Sequence, residues 1–156
     1  MEPPWQEEAE GGGEVLREAR VGCGAAIIVD GRILLLKRLT EPEAGCWGIA
    51  GGKVELFERA VDAARREAEE ELGIRIETDD LLCFTDQIDR AAGTHWVAPI
   101  FLATRFSGEP RLVEPDKHGA IGWFDLDRLP QPLTTAAIAA VEAWRLRQVP
   151  ASQRQD

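Results

Sequence analysis

The sequence lacks tyrosine altogether, and its 156 residues include only three cysteines. Cys23, Cys46 and Cys83 are far apart, with no CxxC pair, which argues against a disulfide scaffold and against a thiolate zinc site. No apolar run approaches the roughly 18 residues needed to span a bilayer, and the N-terminus has no apolar signal core. We therefore expect a soluble, cytoplasmic protein.

Basic residues are also few, since 18 of them face 28 acidic residues and leave a formal net charge of −10. This balance argues against a nucleic-acid polymer as partner and against docking on an anionic membrane. Much of the charge lies at the start, where residues 1–18 hold six glutamates and one arginine. We expect an acidic flexible tail over residues 1–20, one folded domain over 21–150 and a short polar tail over 151–156.

The remaining pattern predicts an α+β domain in which strands predominate. Apolar, β-branched runs at Ala25–Val29 and Ile33–Leu36 flank Asp30-Gly31, a strong hairpin signal. Fifteen residues without glycine or proline, Glu58–Leu72, predict a helix that ends at Gly73. Further predicted elements are strands at Ile74–Thr78, Leu81–Ile88, His95–Phe106 (broken at Pro99) and Ile121–Phe124, and a helix at Thr134–Gln148 with Thr134 as N-cap.

Acidic residues cluster on one side of the first predicted helix. At 100° per residue, Glu67, Glu70 and Glu71 lie within about 100° of one another, beside the apolar stripe. Like charges at these spacings cost a helix roughly 0.2–0.5 kcal/mol each, whereas clustered carboxylate oxygens suit a hard cation such as Mg²⁺. Taken alone, the pattern also fits a solvated helix on which Arg66 pairs with Glu70.

The residues around this helix resemble the signature of the Nudix hydrolases, G-x5-E-x7-R-E-U-x-E-E-x-G-U, where U is a bulky aliphatic residue. The matching positions are Gly52, Glu58, Arg66-Glu67, Glu70-Glu71 and Gly73-Ile74. Two positions depart from the family pattern: Ala68 is small where a bulky residue is expected, and Ala50 stands where proline is frequent. So many constrained positions at the right spacing make a strong signal.

The resemblance implies the Nudix α/β/α sandwich, with a mixed sheet and the signature as loop–helix–loop. It also implies an enzyme that hydrolyses the acid anhydride of a nucleoside diphosphate linked to another moiety, with Mg²⁺, or Mn²⁺ as a substitute. The metal ligands it implies are the carbonyl of Gly51 and the carboxylates of Glu58, Glu67, Glu70 and Glu71. The catalytic residues it implies are Glu67, Glu70, Glu71 and Arg66, which orients the glutamates. The general base stays open between the signature and a later loop that holds Glu109 and Glu114.

The substrate lies outside the signature. The segments Glu114–His118 and Trp123–Asp127 resemble MutT-type pyrophosphohydrolases, which convert a nucleoside triphosphate to the monophosphate and pyrophosphate. The alternative is a nucleoside diphosphate conjugate such as ADP-ribose or a nucleotide sugar. A non-catalytic nucleotide-binding Nudix module is a third reading, against which the four intact glutamates argue.

Residues that contact the substrate are predicted from aromatic and loop positions. Trp96, Phe101 and Leu133 are candidates for stacking on the base, with Trp47 a weaker one, and Glu114 is a candidate in the later loop. We expect a small nucleotide as the partner, and either a monomer or a homodimer.

Overall fold

The computed structural model describes residues 17–154, so most of the predicted acidic tail lies outside the described residues. Within that range the chain forms nine strands, two α-helices and a short 3-10 helix at Ala151–Gln153. The elements are β1 (Arg20–Val29), β2 (Arg32–Arg38), β3 (Trp47–Gly48), β4 (Ala50–Lys53), α1 (Ala60–Leu72), β5 (Arg75–Glu77), β6 (Asp80–Asp89), β7 (Thr94–Ala103), β8 (Arg105–Ser107), β9 (His118–Asp125) and α2 (Thr135–Gln148).

The main sheet is mixed, as the resemblance implies. Its path runs β3-β2-β1-β7-β6, with β4 also paired to β1 and β9 to β2. Strand β1 is antiparallel to β2 and β4 but parallel to β7. Asp30 and Gly31, with φ of 52° and 72°, form the predicted hairpin turn. The predicted α+β class is confirmed.

Both faces of the central strand are buried, which explains why β1 reads as a continuous apolar run. Cys23, Ala25 and Ile27 belong to the core beneath α1, whereas Ala26 and Ile28 belong to the core beneath α2. The alternation follows the period of two in a strand. The sheet is therefore sandwiched between the helices, and α1 lies against β4 and β1.

Helix α1 begins two residues later than predicted. Arg59 is its N-cap, so Glu58 lies in the preceding loop instead of on the helix. The predicted end is confirmed: Gly73 adopts φ 70°, and its N–H donates to the carbonyl of Glu69 at 2.9 Å. Glycine suits this left-handed position because a side chain there is strained.

Strand β7 is not broken at Pro99, contrary to the prediction. It runs from Thr94 to Ala103 and pairs with β6 through Pro99, opposite Phe84. The proline interrupts only the ladder to β1, whose register passes from Val97 directly to Ile100. The missing N–H of Pro99 thus interrupts the pairing with β1, whereas the pairing with β6 continues.

Helix α2 is capped as predicted. The Thr134 side chain accepts a hydrogen bond from the N–H of Ala137 at 3.2 Å. In residues 17–154 we find no helix whose length and apolar character would let it cross a membrane.

Candidate active site

Two glycines bring the signature helix against the sheet. Strand β4 pairs Gly51 with Gly24 and Gly52 with Cys23, and α1 packs over it. A Cβ at Gly52 would collide with the carboxylate of Glu67, and one at Gly51 would collide with the carbonyl oxygen of Cys23. The absence of side chains here lets the loop and the helix approach each other.

Glu67 and Glu71 are carboxylates that the fold buries beside this loop. The side chain of Glu67 is 14% exposed and Glu71 as a residue is 7% exposed. The N–H of Gly51 faces Oε2 of Glu71 at 3.4 Å. Burial, followed by the charge of Glu67, raises the pKa of Glu71 to about 9, and burial also raises the pKa of Glu67. Two buried acids side by side favour a bound cation.

Arg66 links the other acids of the signature. Its Nε lies 2.8 Å from a carboxylate oxygen of Glu58. Its Nη1 lies 2.9 Å from a carboxylate oxygen of Glu67 and 3.2 Å from one of Glu70. Nη2 donates to the carbonyl of Lys53 at 3.0 Å, which ties the helix to the end of β4. These bonds lower the pKa of Glu58 and raise that of Arg66. Glu70 is 53% exposed and stands at the outer edge of the group.

The donor set fits a hard divalent cation, although the side chains as they stand do not surround one. No group of three His, Cys, Asp or Glu side chains in residues 17–154 is arranged to hold a metal ion. Arg66 occupies oxygens of Glu67 and Glu70 that a cation would need. Carboxylate oxygens are nevertheless the ligands Mg²⁺ prefers, and burial raises the pKa of both Glu67 and Glu71, a desolvation cost that a bound cation would offset.

The later loop brings Glu114 close to this group. The charge of Glu114 contributes to the raised pKa of Glu71, and its carboxylate pairs with Lys117 at 2.9 Å. Glu109 is exposed, and no side-chain hydrogen bond or ion pair ties it to the described residues of the site. Of the two loop acids, Glu114 is therefore better placed than Glu109 to act as the general base.

A cleft of about 300 Å³ adjoins the glycine loop, with Gly51, Gly52 and Lys53 at its edge. Trp96, one of the candidates for stacking on the base, lines it, and the guanidinium of Arg20 lies 5.7 Å from the centre of the indole ring. The other lining residues are Gly22, Cys23, Gly24, Arg38, Pro42, Glu43, Gly48, Ile49, Ala50, Gln87, Ala98, Ile100, Thr134 and Ala136. Burial raises the pKa of the Cys23 thiol to about 11, which keeps it protonated at neutral pH.

The structure does not bring the other stacking candidates into this cleft. Phe101, 8% exposed, packs in the core beneath α1, on the face of β7 opposite to Trp96. Leu133 packs against the core beneath α2. Trp47 meets the ring of Phe124 edge-on at 4.9 Å. These three contribute to packing, and Glu114 is not among the residues that line the cleft.

Two polar residues that line the cleft, Gln87 and Glu43, lie outside the signature and were not predicted from the sequence. Gln87 lies directly opposite Trp96 in the β6–β7 ladder, so both point to the same face. The alternation of side chains between the two faces of β6 could have indicated the face on which Gln87 lies. Glu43 comes from the loop after β2, and its Oε1 accepts hydrogen bonds from the N–H and the hydroxyl of Thr135, both at 2.8 Å. The two residues are 92 positions apart in the sequence, so no local pattern could indicate this contact.

Known proteins resemble the chain across this site. A family model described as the NUDIX domain matches residues 18–144. The ADP-ribose pyrophosphatase of Methanocaldococcus jannaschii is 32% identical over 74% of this chain and 71% of that protein. The CTP pyrophosphohydrolase of Escherichia coli is 34% identical over 77% of this chain and 87% of that protein. The crystal structure of a MutT NUDIX hydrolase from Burkholderia pseudomallei has a TM-score of 0.79 and 63% identity, covering 81% of this chain and 98% of that one.

Proposed function

The chain belongs to the NUDIX hydrolase family, and on that premise we propose that it cleaves a nucleoside triphosphate to the monophosphate and pyrophosphate with Mg²⁺. The observation that carries the proposal is the buried pair Glu67 and Glu71, held against the Gly51–Gly52 loop at the edge of a cleft. The cleft can take the nucleoside while the phosphates reach the carboxylates.

Each residue of the signature has a defined task in this proposal. Glu67, Glu70 and Glu71, with Glu58 and the carbonyl of Gly51, would hold the metal. When bound, Mg²⁺ would supply charge neutralisation on the phosphoryl oxygens and a lowered pKa for the attacking water. Arg66 keeps the glutamates oriented through its three ion pairs. A site carboxylate, either from the signature or Glu114, accepts the proton of the water.

A nucleoside diphosphate conjugate is the second candidate substrate, favoured by the similarity to the ADP-ribose pyrophosphatase. The similarity to the CTP pyrophosphohydrolase covers a larger share of both chains and favours the triphosphate. The cleft of about 300 Å³ suits one base with its sugar, which both candidate substrates present. A non-catalytic nucleotide-binding module is disfavoured, since the four signature glutamates and Arg66 are all present and Arg66 is bonded to three of the glutamates.

The test is a hydrolysis screen at fixed Mg²⁺ with the four ribonucleoside triphosphates, their deoxy forms, ADP-ribose and a nucleotide sugar. We expect pyrophosphate as a product from the triphosphates, with a rate that rises toward alkaline pH because the water must lose a proton. A sugar phosphate released from ADP-ribose at a higher kcat/KM would favour the second candidate. Release of neither product would contradict both.

Substitutions on one helix separate catalysis from folding. Glu71→Gln and Glu70→Gln should each lower kcat by about 10²-fold or more, because they remove oxygens from the charge-stabilising centre. Glu69→Gln is the matched control: its side chain is 60% exposed and touches none of the site residues, so kcat should stay within twofold of wild type.

A further inference from the structure

Two polar side chains of the cleft have hydrogen-bonding capacity that the described residues do not use. The half-buried amide of Gln87 has no partner within residues 17–154. Oε1 of Glu43 accepts two hydrogen bonds from Thr135, whereas Oε2 of Glu43 has no protein partner in that part of the chain. Polar groups in a cleft that lack protein partners are available to a ligand.

The cleft also offers an apolar surface for a ring. Gln87 and the indole of Trp96 are cross-strand neighbours, and the small residues Gly22 and Ala98 line the cleft beside the indole. A side chain at Gly22 would come within 3.6 Å of both Trp96 and Ala98, and would narrow this surface. Arg20 lies over one face of the indole, so the opposite face is the surface on which a planar heteroaromatic ligand would stack, with polar groups around it.

The chemistry of these groups restricts the ligand. A carboxylate oxygen accepts hydrogen bonds and donates none, whereas an amide does both. A base with an exocyclic amino group next to a ring acceptor matches this pair, because the amino group donates to the carboxylate and the amide pairs with the remaining edge. Uracil and thymine present a carbonyl where cytosine presents its amino group, and that carbonyl would face the acceptor oxygen.

We propose that Glu43 and Gln87 read the edge of the nucleobase, with Trp96 against its face, and that they select a base with an exocyclic amino group over uracil or thymine. This specificity rests on the proposed function, since the phosphates at the signature carboxylates place the base in the cleft. The three residues come from different elements, a loop and two strands, so the selection depends on the folded cleft.

The test compares CTP and UTP, which differ at the pyrimidine edge. Wild type should prefer CTP in kcat/KM. Glu43→Gln keeps an oxygen for Thr135 and places an NH₂ donor on the other side, so the CTP/UTP ratio should fall about tenfold or more. Gln87→Met removes the amide at similar size and should lower kcat/KM for CTP by about tenfold, mainly through KM.

Matched controls are available next to each residue. Asp86→Asn changes the neighbour of Gln87 on the opposite face of β6, where Asp86 pairs with His95 at 2.9 Å. Glu41→Gln makes the same chemical change as Glu43→Gln in the same loop, at a residue outside the lining of the cleft. Both should leave the CTP/UTP ratio within twofold of wild type. A wild type that does not prefer CTP, or a CTP/UTP ratio that Glu43→Gln leaves unchanged, would overturn the proposal.

Binding separates this inference from the proposed function. CMP and UMP are titrated into the full chain, and the Trp96 indole N–H resonance, identified by its loss in Trp96→Phe, is followed by NMR. We expect CMP to shift this signal in wild type and much less in Gln87→Met. If neither triphosphate is hydrolysed but CMP binds in this way, the proposed function fails and the base recognition stands. If triphosphates are hydrolysed but CMP leaves the signal unmoved, the base recognition fails alone.

Discussion

Gly51 and Gly52 are neighbours in sequence, yet a side chain would meet a different kind of atom at each. At Gly51 it would meet the backbone of β1, at the carbonyl of Cys23. At Gly52 it would meet the carboxylate of Glu67, a side chain that can turn away. The first clash threatens the strand pairing and the second threatens the position of a proposed metal ligand. Stability and activity should therefore respond differently to the same substitution.

Gly52→Ala should lower kcat/KM by about 10²-fold, because displacing a catalytic group by about 1 Å has an effect of this order. Its melting temperature should change little. Gly51→Ala should instead destabilise the fold by about 1–3 kcal/mol, since backbone atoms cannot yield easily. Steady-state kinetics and denaturant unfolding of both variants check this.

The control is Gly119→Ala, whose added Cβ would lie 3.0 Å from Cδ2 of Leu39, the end of a flexible side chain. It should be close to wild type in both measurements. Equal losses of stability at Gly51 and Gly52 would contradict the assignment of separate roles.

The raised pKa of Glu71 gives the metal-free protein a pH-dependent stability. Its pKa is about 9 in the folded state and near 4.5 when unfolded, so between these values the folded state binds more protons than the unfolded state. The free energy of unfolding should then fall as pH rises through this window, by up to about 1.4 kcal/mol per unit. Urea unfolding in EDTA from pH 5 to 8 measures the slope. Glu71→Gln, which cannot ionise, should flatten it.

At the scale of the elements, local signals are reliable where neighbours in sequence decide the structure. The Asp30-Gly31 turn, the Gly73 helix end and the Thr134 cap follow from backbone preferences and short-range hydrogen bonds, and all are confirmed. Pro99 is the exception, because it was expected to break β7. A strand with a neighbour on each side can lose the hydrogen bond of one N–H to β1 and stay paired with β6. Whether a strand has a neighbour on each side depends on the order of strands in the sheet, which local sequence signals do not give.

The candidate site divides in the same way. The signature positions around Glu67 follow from a fixed spacing on one loop and one helix, which the sequence displays directly. Strand parity separates Trp96 in the cleft from Phe101 in the core, so an alternation argument could have made that distinction. The place of Glu43 could not be predicted, because its hydrogen bonds to Thr135 join parts of the chain that only the tertiary fold brings together.

Ala68 illustrates how the contact between α1 and the sheet departs from the family signature, which has a bulky aliphatic residue there. It is fully buried, in a core that includes the small Ala63 and Ala64. Ala68→Leu should therefore destabilise the protein by about 1–3 kcal/mol through overpacking. Glu69→Leu inserts the same side chain at the adjacent, exposed position and should change stability by less than about 0.5 kcal/mol. Chemical denaturation distinguishes them, and a neutral Ala68→Leu would mean that the core has room for the usual residue.

At the scale of the whole molecule, the net charge of −10 opposes a polyanionic substrate unless a cation intervenes. Charge spread over the surface and charge buried at one site act differently on a cation. Surface carboxylates attract a diffuse, salt-screened atmosphere. Glu67 and Glu71 instead stand together in a poorly solvated position, where a bound ion relieves their repulsion and desolvation. Only the second arrangement couples cation binding strongly to folding.

Mg²⁺ should accordingly raise the stability of the wild-type protein by up to about 2.7 kcal/mol when its concentration is 100 times the dissociation constant. The double variant Glu67→Gln/Glu71→Gln should lose this response and, in EDTA, be at least as stable as wild type, because neutral amides replace two carboxyl groups that burial makes costly to ionise. The double variant Glu69→Gln/Glu77→Gln removes the same net charge from exposed positions and should keep the full response. Thermal unfolding with and without Mg²⁺ compares the three proteins. Equal responses in both double variants would mean that Mg²⁺ acts through the overall charge and not through the buried pair.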